Sequence, residues 1–230
     1  MPHWDITMAK TLSVYKSSIG QKIVSALTGF FLCVFLVVHV SGNLLLFKND
    51  GGSSFNHYAA AASSSLLIRS IEILLFAGFA IHIFWGIRLW IFNKRARPKN
   101  YVECDPSENS SLASRVMLLS GVLVLFFLVV HLRSFWVPIR FGAHPLSDYD
   151  MVRIAFENPL YDLFYIFCLV LLAFHLRQGF QSAFQTVGLR PLWLKAIDRA
   201  AIIFWLLIPA AFAAMPLYFL LAKGGGLPWN

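Results

Sequence analysis

Charged residues are scarce in this chain. Only 13% of its 230 residues are Asp, Glu, Lys or Arg, whereas 58% are hydrophobic, and the mean hydropathy is +0.68. Soluble domains carry about 25% charged residues, so the composition excludes a soluble domain and favours an integral membrane protein. The formal net charge of +8 does not predict nucleic-acid binding, because the basic residues flank apolar segments, as they do in membrane proteins.

Cysteines and intramembrane acids are also few. The sequence has 3 cysteines, and no CxxC or similar spacing, which predicts neither a disulfide framework nor an iron–sulfur site. Neither a Ser/His/Asp arrangement nor paired carboxylates are present. The only acids within or beside the apolar segments lie toward segment ends, at Glu72, Asp162 and Asp198. These absences favour electron transfer over hydrolytic chemistry.

Five apolar stretches are long enough to cross a bilayer, for which about 20 residues suffice. They lie near 23–47, 66–92, 114–137, 160–184 and 200–222. The sequence therefore predicts an all-α membrane protein in which residues 1–230 form a single membrane domain with five transmembrane helices. We expect the first four helices to form a bundle that binds haem, for the reasons given below.

Basic residues predict the orientation in the membrane. Of the 19 Lys and Arg residues, thirteen lie in the N-terminal tail and in regions 88–115 and 177–199, and six lie on the opposite side. Because cytoplasmic loops carry the excess of Lys and Arg, we expect a cytoplasmic N-terminus and an outer C-terminus.

One histidine occurs in each of the first four apolar segments: His39, His82, His131 and His175. Ionisable residues inside a membrane are rare and usually functional. At 1.5 Å per residue, His39 and His131 lie about 10 Å from the outer surface, and His82 and His175 about 22 Å from it. Two neutral imidazoles saturate a haem iron, so the depths predict an outer haem held by His39 and His131 and an inner haem held by His82 and His175.

Small and cationic residues near these histidines are candidate haem contacts. Several glycines share a helix face with a histidine, and a flat porphyrin needs small neighbours; the alternative is ordinary packing of small residues between helices. Cationic and hydroxyl side chains could bind the haem propionates; the alternative is anchoring at the membrane interface. The glycines are Gly42, Gly78, Gly86 and Gly179, the inner propionate candidates are Arg88, Arg177, Lys22 and Ser25, and the outer one is Arg133.

Four motifs carry a family resemblance: SALTGFFLCVFLVVHVSGNL (25–44), HIFWGIRLW (82–90), VVHLRSFW (129–136) and FHLRQGFQSAFQTVGL (174–189). With them the chain resembles the single-polypeptide dihaem cytochrome b subunit of succinate:quinone oxidoreductases, which include succinate dehydrogenase and quinol:fumarate reductase. The resemblance implies five helices, two haem b groups with the same ligand pairs, and menaquinone or ubiquinone as the membrane substrate. It also implies a bacterial cytoplasmic (inner) membrane.

The same resemblance implies partners: a flavoprotein subunit and an iron–sulfur subunit docked on the cytoplasmic face, against loops 93–113 and 185–199. Two positions depart from some relatives. Ala173 stands where they have a glutamate for a compensating proton path, and residues 47–65 contain only Asp50 as an acid where they have a glutamate at the quinol site. Asn56 and His57 are the possible polar substitutes there.

Two other classes of protein remain open on the sequence. One is a dihaem cytochrome b of another quinone-linked enzyme, of the nitrate reductase or hydrogenase type; the nitrate reductase type places its ligands in pairs on two helices, unlike the one histidine per helix found here. The other is a haem-free membrane anchor or transporter in which the histidines bond neighbouring helices. An absorption spectrum of the reduced protein distinguishes the two classes of dihaem cytochrome b from the haem-free class.

Overall fold

The computed structural model describes residues 17–95, 112–142, 145–188 and 190–223, and these parts of the chain are helical with short turns between the helices. Five helical segments are long and apolar enough to cross a membrane. We call them spans 1 to 5: Ile19–Phe47, Leu66–Arg95, Met117–Phe141, Pro159–Thr186 and Lys195–Ala222. The prediction of an all-α fold is confirmed for the described residues, and so is the prediction of five helices long and apolar enough to span a membrane.

The helix boundaries differ from the predicted ones mainly at the fifth span. The helix leading into it begins at Arg190, ten residues before the predicted start, so most of the predicted loop 185–199 is helical. Pro191, the second residue of that helix, does not oppose it, because the first helical turn does not need the N–H that proline lacks. The predicted loop 93–113 lies largely outside the described residues, which stop at Arg95 and resume at Leu112.

Two short helices occupy the connections that the sequence analysis left as loops. Ser53–Ser64 follows span 1, and Asp148–Phe156 precedes span 4. Ser147 caps the second helix by accepting a hydrogen bond from the Asp150 N–H, the usual role of serine at this position. Both helices lie at the end of the bundle where spans 1 and 3 end and spans 2 and 4 begin, which we call the loop-helix end.

Spans 3 and 5 each contain a π-helical turn, at Leu132–Trp136 and Ile203–Leu207. Each turn ends two residues before a proline, Pro138 and Pro209 respectively. A proline in a helix lacks an N–H and crowds the carbonyl four residues earlier, so a locally widened turn accommodates it. In span 3 the widened turn begins directly after His131.

The first four spans form a bundle, and the fifth packs outside it. Span 1 packs against spans 2 and 4, span 3 packs against span 4, and span 5 packs mainly against span 4, whereas spans 2 and 3 touch much less. Phe180 of span 4 stacks on Phe204 of span 5 with ring centroids 5.0 Å apart. The four histidine-bearing helices therefore surround a common interior.

Candidate functional site: two layers of paired histidines

The four intramembrane histidines come together in two pairs. The ring centroids of His39 and His131, the outer pair, are 5.8 Å apart, and those of His82 and His175, the inner pair, are 6.3 Å apart. The ring planes are nearly perpendicular, at 87° and 83°. These are the pairs that the depth calculation predicted, and each of the first four spans contributes one ring.

The ring spacing suits two imidazoles on opposite sides of one metal ion. With metal–nitrogen bonds of roughly 2.0–2.1 Å, the centroids of such rings are about 6.3 Å apart, which matches the inner pair; the outer pair would have to separate by about 0.5 Å. No group of three or more His, Cys, Asp or Glu side chains converges among the described residues. Each layer thus offers two protein ligands only, which suits a haem, whose porphyrin supplies the other four iron ligands, better than a bare metal ion.

Each ring of the inner pair contacts a hydroxyl and a glycine of the neighbouring span. Thr28 Oγ1 lies 3.3 Å from His82 Nδ1, and Ser120 Oγ lies 3.4 Å from His175 Nδ1. A β-carbon added at Gly29 or Gly121 would lie 3.4 Å from Cε1 of His82 or His175, respectively. These glycines let each imidazole lie flush against the neighbouring helix, and a larger side chain would displace it.

The sequence analysis missed these four residues, although a repeat in the sequence carries the signal. In spans 1 and 3, a hydroxyl residue followed by glycine precedes a histidine by eleven positions: Thr28-Gly29 before His39, and Ser120-Gly121 before His131. Spans 2 and 4 repeat a second pattern, in which an alanine lies two residues before the histidine and a glycine four after it. The pair of spans 1 and 2 therefore repeats in sequence as the pair of spans 3 and 4. Each histidine pair consists of one ring from the first half of this repeat and one from the second.

The outer pair has different neighbours. His131 Nδ1 lies 3.2 Å from the hydroxyl of Tyr165, which accepts a hydrogen bond from Tyr161 at 3.1 Å. His39 stacks on Phe35 with ring centroids 5.2 Å apart, and Asn43 Nδ2 lies 3.4 Å from its Nδ1. Aromatic rings thus enclose the outer pair, and a chain of two tyrosine hydroxyls leads from His131 toward the loop-helix end.

The four predicted haem-contact glycines divide into two groups. A β-carbon at Gly86 or Gly179 would meet nothing within 4 Å, so open space lies one turn beyond each inner histidine. A β-carbon at Gly42 would lie 2.5 Å from the Tyr58 ring, and one at Gly78 would lie 2.8 Å from the Phe31 ring. Protein side chains already occupy the space beside Gly42 and Gly78, so of the four glycines only Gly86 and Gly179 have open space beside them.

Two of the predicted propionate contacts, Arg88 and Arg177, lie over tryptophan rings. The guanidinium of Arg88 lies 5.0 Å from the centre of the Trp85 ring, and that of Arg177 lies 5.2 Å from the centre of the Trp205 ring. Such stacking leaves the N–H donors at the guanidinium edge free to bind an anion. Arg133 and Lys22 are exposed and Ser25 is partly buried, so their roles as propionate ligands stay predictions.

Polar residues of the first loop have structural partners. Asn56 Oδ1 accepts a hydrogen bond from the Tyr149 backbone N–H at 2.9 Å and so joins the two loop helices. Hydrogen bonds from Ser54 and from the Gly52 N–H, with the charge of Lys48, hold the pKa of the Asp50 carboxyl below its usual value. Asp50 therefore stays ionised in its turn and is a poor proton donor. Asn56 and the exposed His57 line an open depression of about 360 Å³.

Two intramembrane acids have contrasting surroundings. Glu72 of span 2 accepts hydrogen bonds from the Trp136 indole N–H and, at 2.6 Å, from Arg140, both at the end of span 3. Asp162 of span 4 is 1% exposed, and neither of its carboxylate oxygens has a hydrogen-bond partner among the described residues. Both lie in the part of the membrane nearest the loop-helix end, as the sequence analysis expected.

No protein-family model, curated protein or solved structure matches this chain. The fold and the site themselves define a class: a helical, multi-pass membrane protein with two layers of paired histidines inside its first four spans.

Proposed function

We propose that the protein is a dihaem cytochrome b that anchors a succinate:quinone oxidoreductase in the membrane. It binds two haem b groups and passes electrons between a membrane quinone, menaquinone or ubiquinone, and the iron–sulfur and flavoprotein subunits that interconvert succinate and fumarate. The observation that carries the haem assignment is the meeting of four histidines from four spans in two pairs. The assignment of succinate and fumarate as the substrates of the partner subunits rests on the family resemblance of the four sequence motifs.

The chemistry of the site supports electron transfer. Iron with two imidazole ligands has no open position for oxygen, so such a haem exchanges electrons only. Two haems held by the inner and outer histidine pairs would give electrons a path across the membrane. In this proposal the quinone reacts near the outer pair, beside parts of residues 43–72 and the end of span 3, and the depression at Asn56 and His57 is one candidate entrance.

A haem assay of the purified full-length chain tests the proposal. We expect two haem b per chain by the pyridine haemochrome method, and a dithionite-reduced spectrum typical of six-coordinate b-type haem. Addition of carbon monoxide should leave the reduced spectrum unchanged, because both axial positions are occupied. A chain that folds with its five helices and contains no haem after expression with ample haem supply contradicts the proposal and favours the haem-free anchor.

Filling the space beside the inner histidines distinguishes haem binding from simple packing. We expect Gly86→Leu or Gly179→Leu to remove the inner haem and leave one haem per chain, because the leucine enters space that nothing else in the protein occupies. In a haem-free bundle the same change would fill open space and add helix propensity, worth about 1 kcal/mol relative to glycine.

The matched control is Ala77→Leu, which places a leucine on an exposed position of the same span, on the helix face opposite Gly86. This control should retain both haems. Retention of two haems with unchanged spectra in both glycine variants would show that the open space is not a haem pocket.

The orientation in the membrane is tested with Cys104, which lies outside the described residues. Cys33 and Cys168 are buried within spans, so an impermeant thiol reagent can report on Cys104 alone. With the N-terminus in the cytoplasm, we expect no labelling of Cys104 in intact cells and labelling after the membrane is opened. Ser54→Cys in a Cys104→Ser background is the positive control, because Ser54 lies at the loop-helix end and should be labelled from outside. Labelling of Cys104 in intact cells would show that the predicted orientation in the membrane is wrong.

The docking surface of the partner subunits follows from this orientation. The cytoplasmic regions 93–113 and 185–199 carry exposed basic residues where the structure describes them, including Lys94, Lys195 and Arg199. The guanidinium and ammonium groups of Arg88 and Lys94 lie over tryptophan rings, as is typical of residues at the membrane–water interface. A basic surface at this level is available to acidic groups of a docked subunit.

A further inference from the structure

Two hydroxyl groups of neighbouring spans lie beside the rings of the inner histidines. Thr28 Oγ1 lies 3.3 Å from His82 Nδ1, and Ser120 Oγ lies 3.4 Å from His175 Nδ1. Both contacts cross from one span to its neighbour within one helix pair of the repeat. The ring nitrogen nearest the hydroxyl is Nδ1 in both cases, and the His82 ring also has a hydrogen bond with the Ser25 backbone.

The direction of these hydrogen bonds follows from the other contacts of the hydroxyls. Thr28 Oγ1 donates to the carbonyl oxygens of Val24 and Ser25, at 2.9 and 3.1 Å, and Ser120 Oγ donates to the Met117 carbonyl at 2.9 Å. A hydroxyl has one proton and two acceptor lone pairs. Since the backbone takes the proton, the hydroxyl oxygen accepts from the imidazole, which must then carry its proton on Nδ1.

The outer pair lacks this arrangement. Beside His39, the nearest polar atom is the Asn43 amide nitrogen, a donor that also bonds the His39 carbonyl at 2.8 Å. Beside His131, it is the Tyr165 hydroxyl, which among the described residues bonds the Tyr161 hydroxyl and not a backbone carbonyl. A hydroxyl held by the backbone is thus a shared property of the inner pair, present in both copies of the helix repeat.

We propose that Thr28 and Ser120 are positioning residues of the inner haem, which hold His82 and His175 as Nδ1–H tautomers with Nε2 directed to the iron. This inference rests on the proposed function. Groups that accept the second N–H of a metal-bound histidine fix its tautomer and ring orientation and raise its basicity, and their loss costs 10- to 100-fold in metal affinity in general. The repeat places one such group on each ligand.

The expected effects concern the inner haem alone. Thr28→Val, which keeps the shape of the side chain and removes the hydroxyl, should lower the affinity for the inner haem about 10- to 100-fold. Any inner haem that remains should have a higher midpoint potential, because a less basic imidazole stabilises ferric iron less. Its low-spin ferric EPR signal should shift as the ring loses its fixed orientation. Ser120→Ala should act in the same way through His175.

The experiment uses the full-length chain, purified in detergent, with four substitutions and one control. Thr28→Ser and Ser120→Thr retain the hydroxyl and should restore the wild-type potential and EPR signal. Ser41→Ala is the matched control, because Ser41 of the same span also donates to a backbone carbonyl, that of Val37 at 2.7 Å, and has no contact with a histidine ring. The outer haem should remain in every variant and shows that the bundle has folded.

The outcomes separate this inference from the proposed function. A wild-type chain without haem overturns the proposed function and this inference with it. A wild-type chain with two haems whose Thr28→Val and Ser120→Ala variants keep the wild-type inner potential and EPR signal overturns this inference alone. Equal loss of both haems in Thr28→Val and Thr28→Ser also overturns it, because the role would then be general packing rather than the hydroxyl contact.

Discussion

Replacement of either histidine of the inner pair by alanine is expected to reduce the haem content from two to one per chain and to remove the same haem in both cases. His82→Ala and His175→Ala should have the same remaining spectrum and midpoint potential, those of the outer haem. His39→Ala and His131→Ala should likewise resemble each other and retain the inner haem. The physical reason is the pairing of the rings, at 6.3 Å in the inner layer and 5.8 Å in the outer one.

The loss should be nearly complete, because a haem with one protein ligand has lost half of its axial bonds. Redox titration of the purified variants, followed by optical spectroscopy, measures which haem is present. His57→Ala is the control, since His57 is exposed on a loop helix and should leave both haems in place. If His82→Ala and His131→Ala lack the same haem, the assignment of ligands to layers is wrong.

Turnover of the complete complex is expected to generate or consume a membrane potential. If, as proposed, the quinone reacts near the outer pair and the partner subunits dock on the cytoplasmic face, electrons cross most of the membrane in each turnover. Moving one elementary charge across a potential of 100 mV costs or yields about 2.3 kcal/mol. The rate and the favoured direction should therefore respond to the membrane potential.

A proton that crosses the membrane together with each electron would cancel the charge movement. Such a proton path needs a titratable group deep in the bundle. Within the spans, the acidic side chains that the structure describes are Glu72 and Asp162. Both lie toward the loop-helix end. Glu72 is held by Trp136 and Arg140. Ala173, two residues before His175, stands where some relatives of the resembled family have a glutamate. The described interior therefore offers no deep carboxylate to carry a compensating proton.

Reconstitution of the complex in sealed liposomes, with a potential-sensitive dye, measures the charge movement. Ala173→Glu is the informative variant, because it adds a carboxylate beside the inner pair; we expect it to reduce the potential generated per electron while turnover continues. A wild-type complex that turns over fully without any potential contradicts the prediction. A quinone-site inhibitor bound beside the inner pair would contradict the assumed position of the quinone.

The sequence determined the class of fold and the histidine layers of this protein. About 20 apolar residues must satisfy their backbone groups as a helix inside a bilayer, so five long apolar stretches specify five spans with little ambiguity. A helix rises 1.5 Å per residue, so position along a stretch gives depth. That arithmetic paired His39 with His131 and His82 with His175 before any packing was known.

Helix ends and loop structure were less predictable. The helix that leads into span 5 begins at Arg190, within a segment that has the charge and proline content of a loop. The two loop helices are amphipathic and short, and they are held by contacts such as that between Asn56 and the Tyr149 backbone. Local sequence does not specify such contacts, because the partners are far apart in the chain.

Only the tertiary structure decided what each face of a helix meets. Gly42, Gly78, Gly86 and Gly179 look alike in the sequence, each on the face of a histidine, yet Tyr58 and Phe31 occupy the space beside the first two and open space lies beside the last two. The hydroxyls of Thr28 and Ser120 likewise gain their meaning from rings more than 50 residues away in sequence. Depth follows from counting along one helix, whereas side-chain neighbours depend on how the helices rotate and cross, and that depends on the packing of the whole bundle.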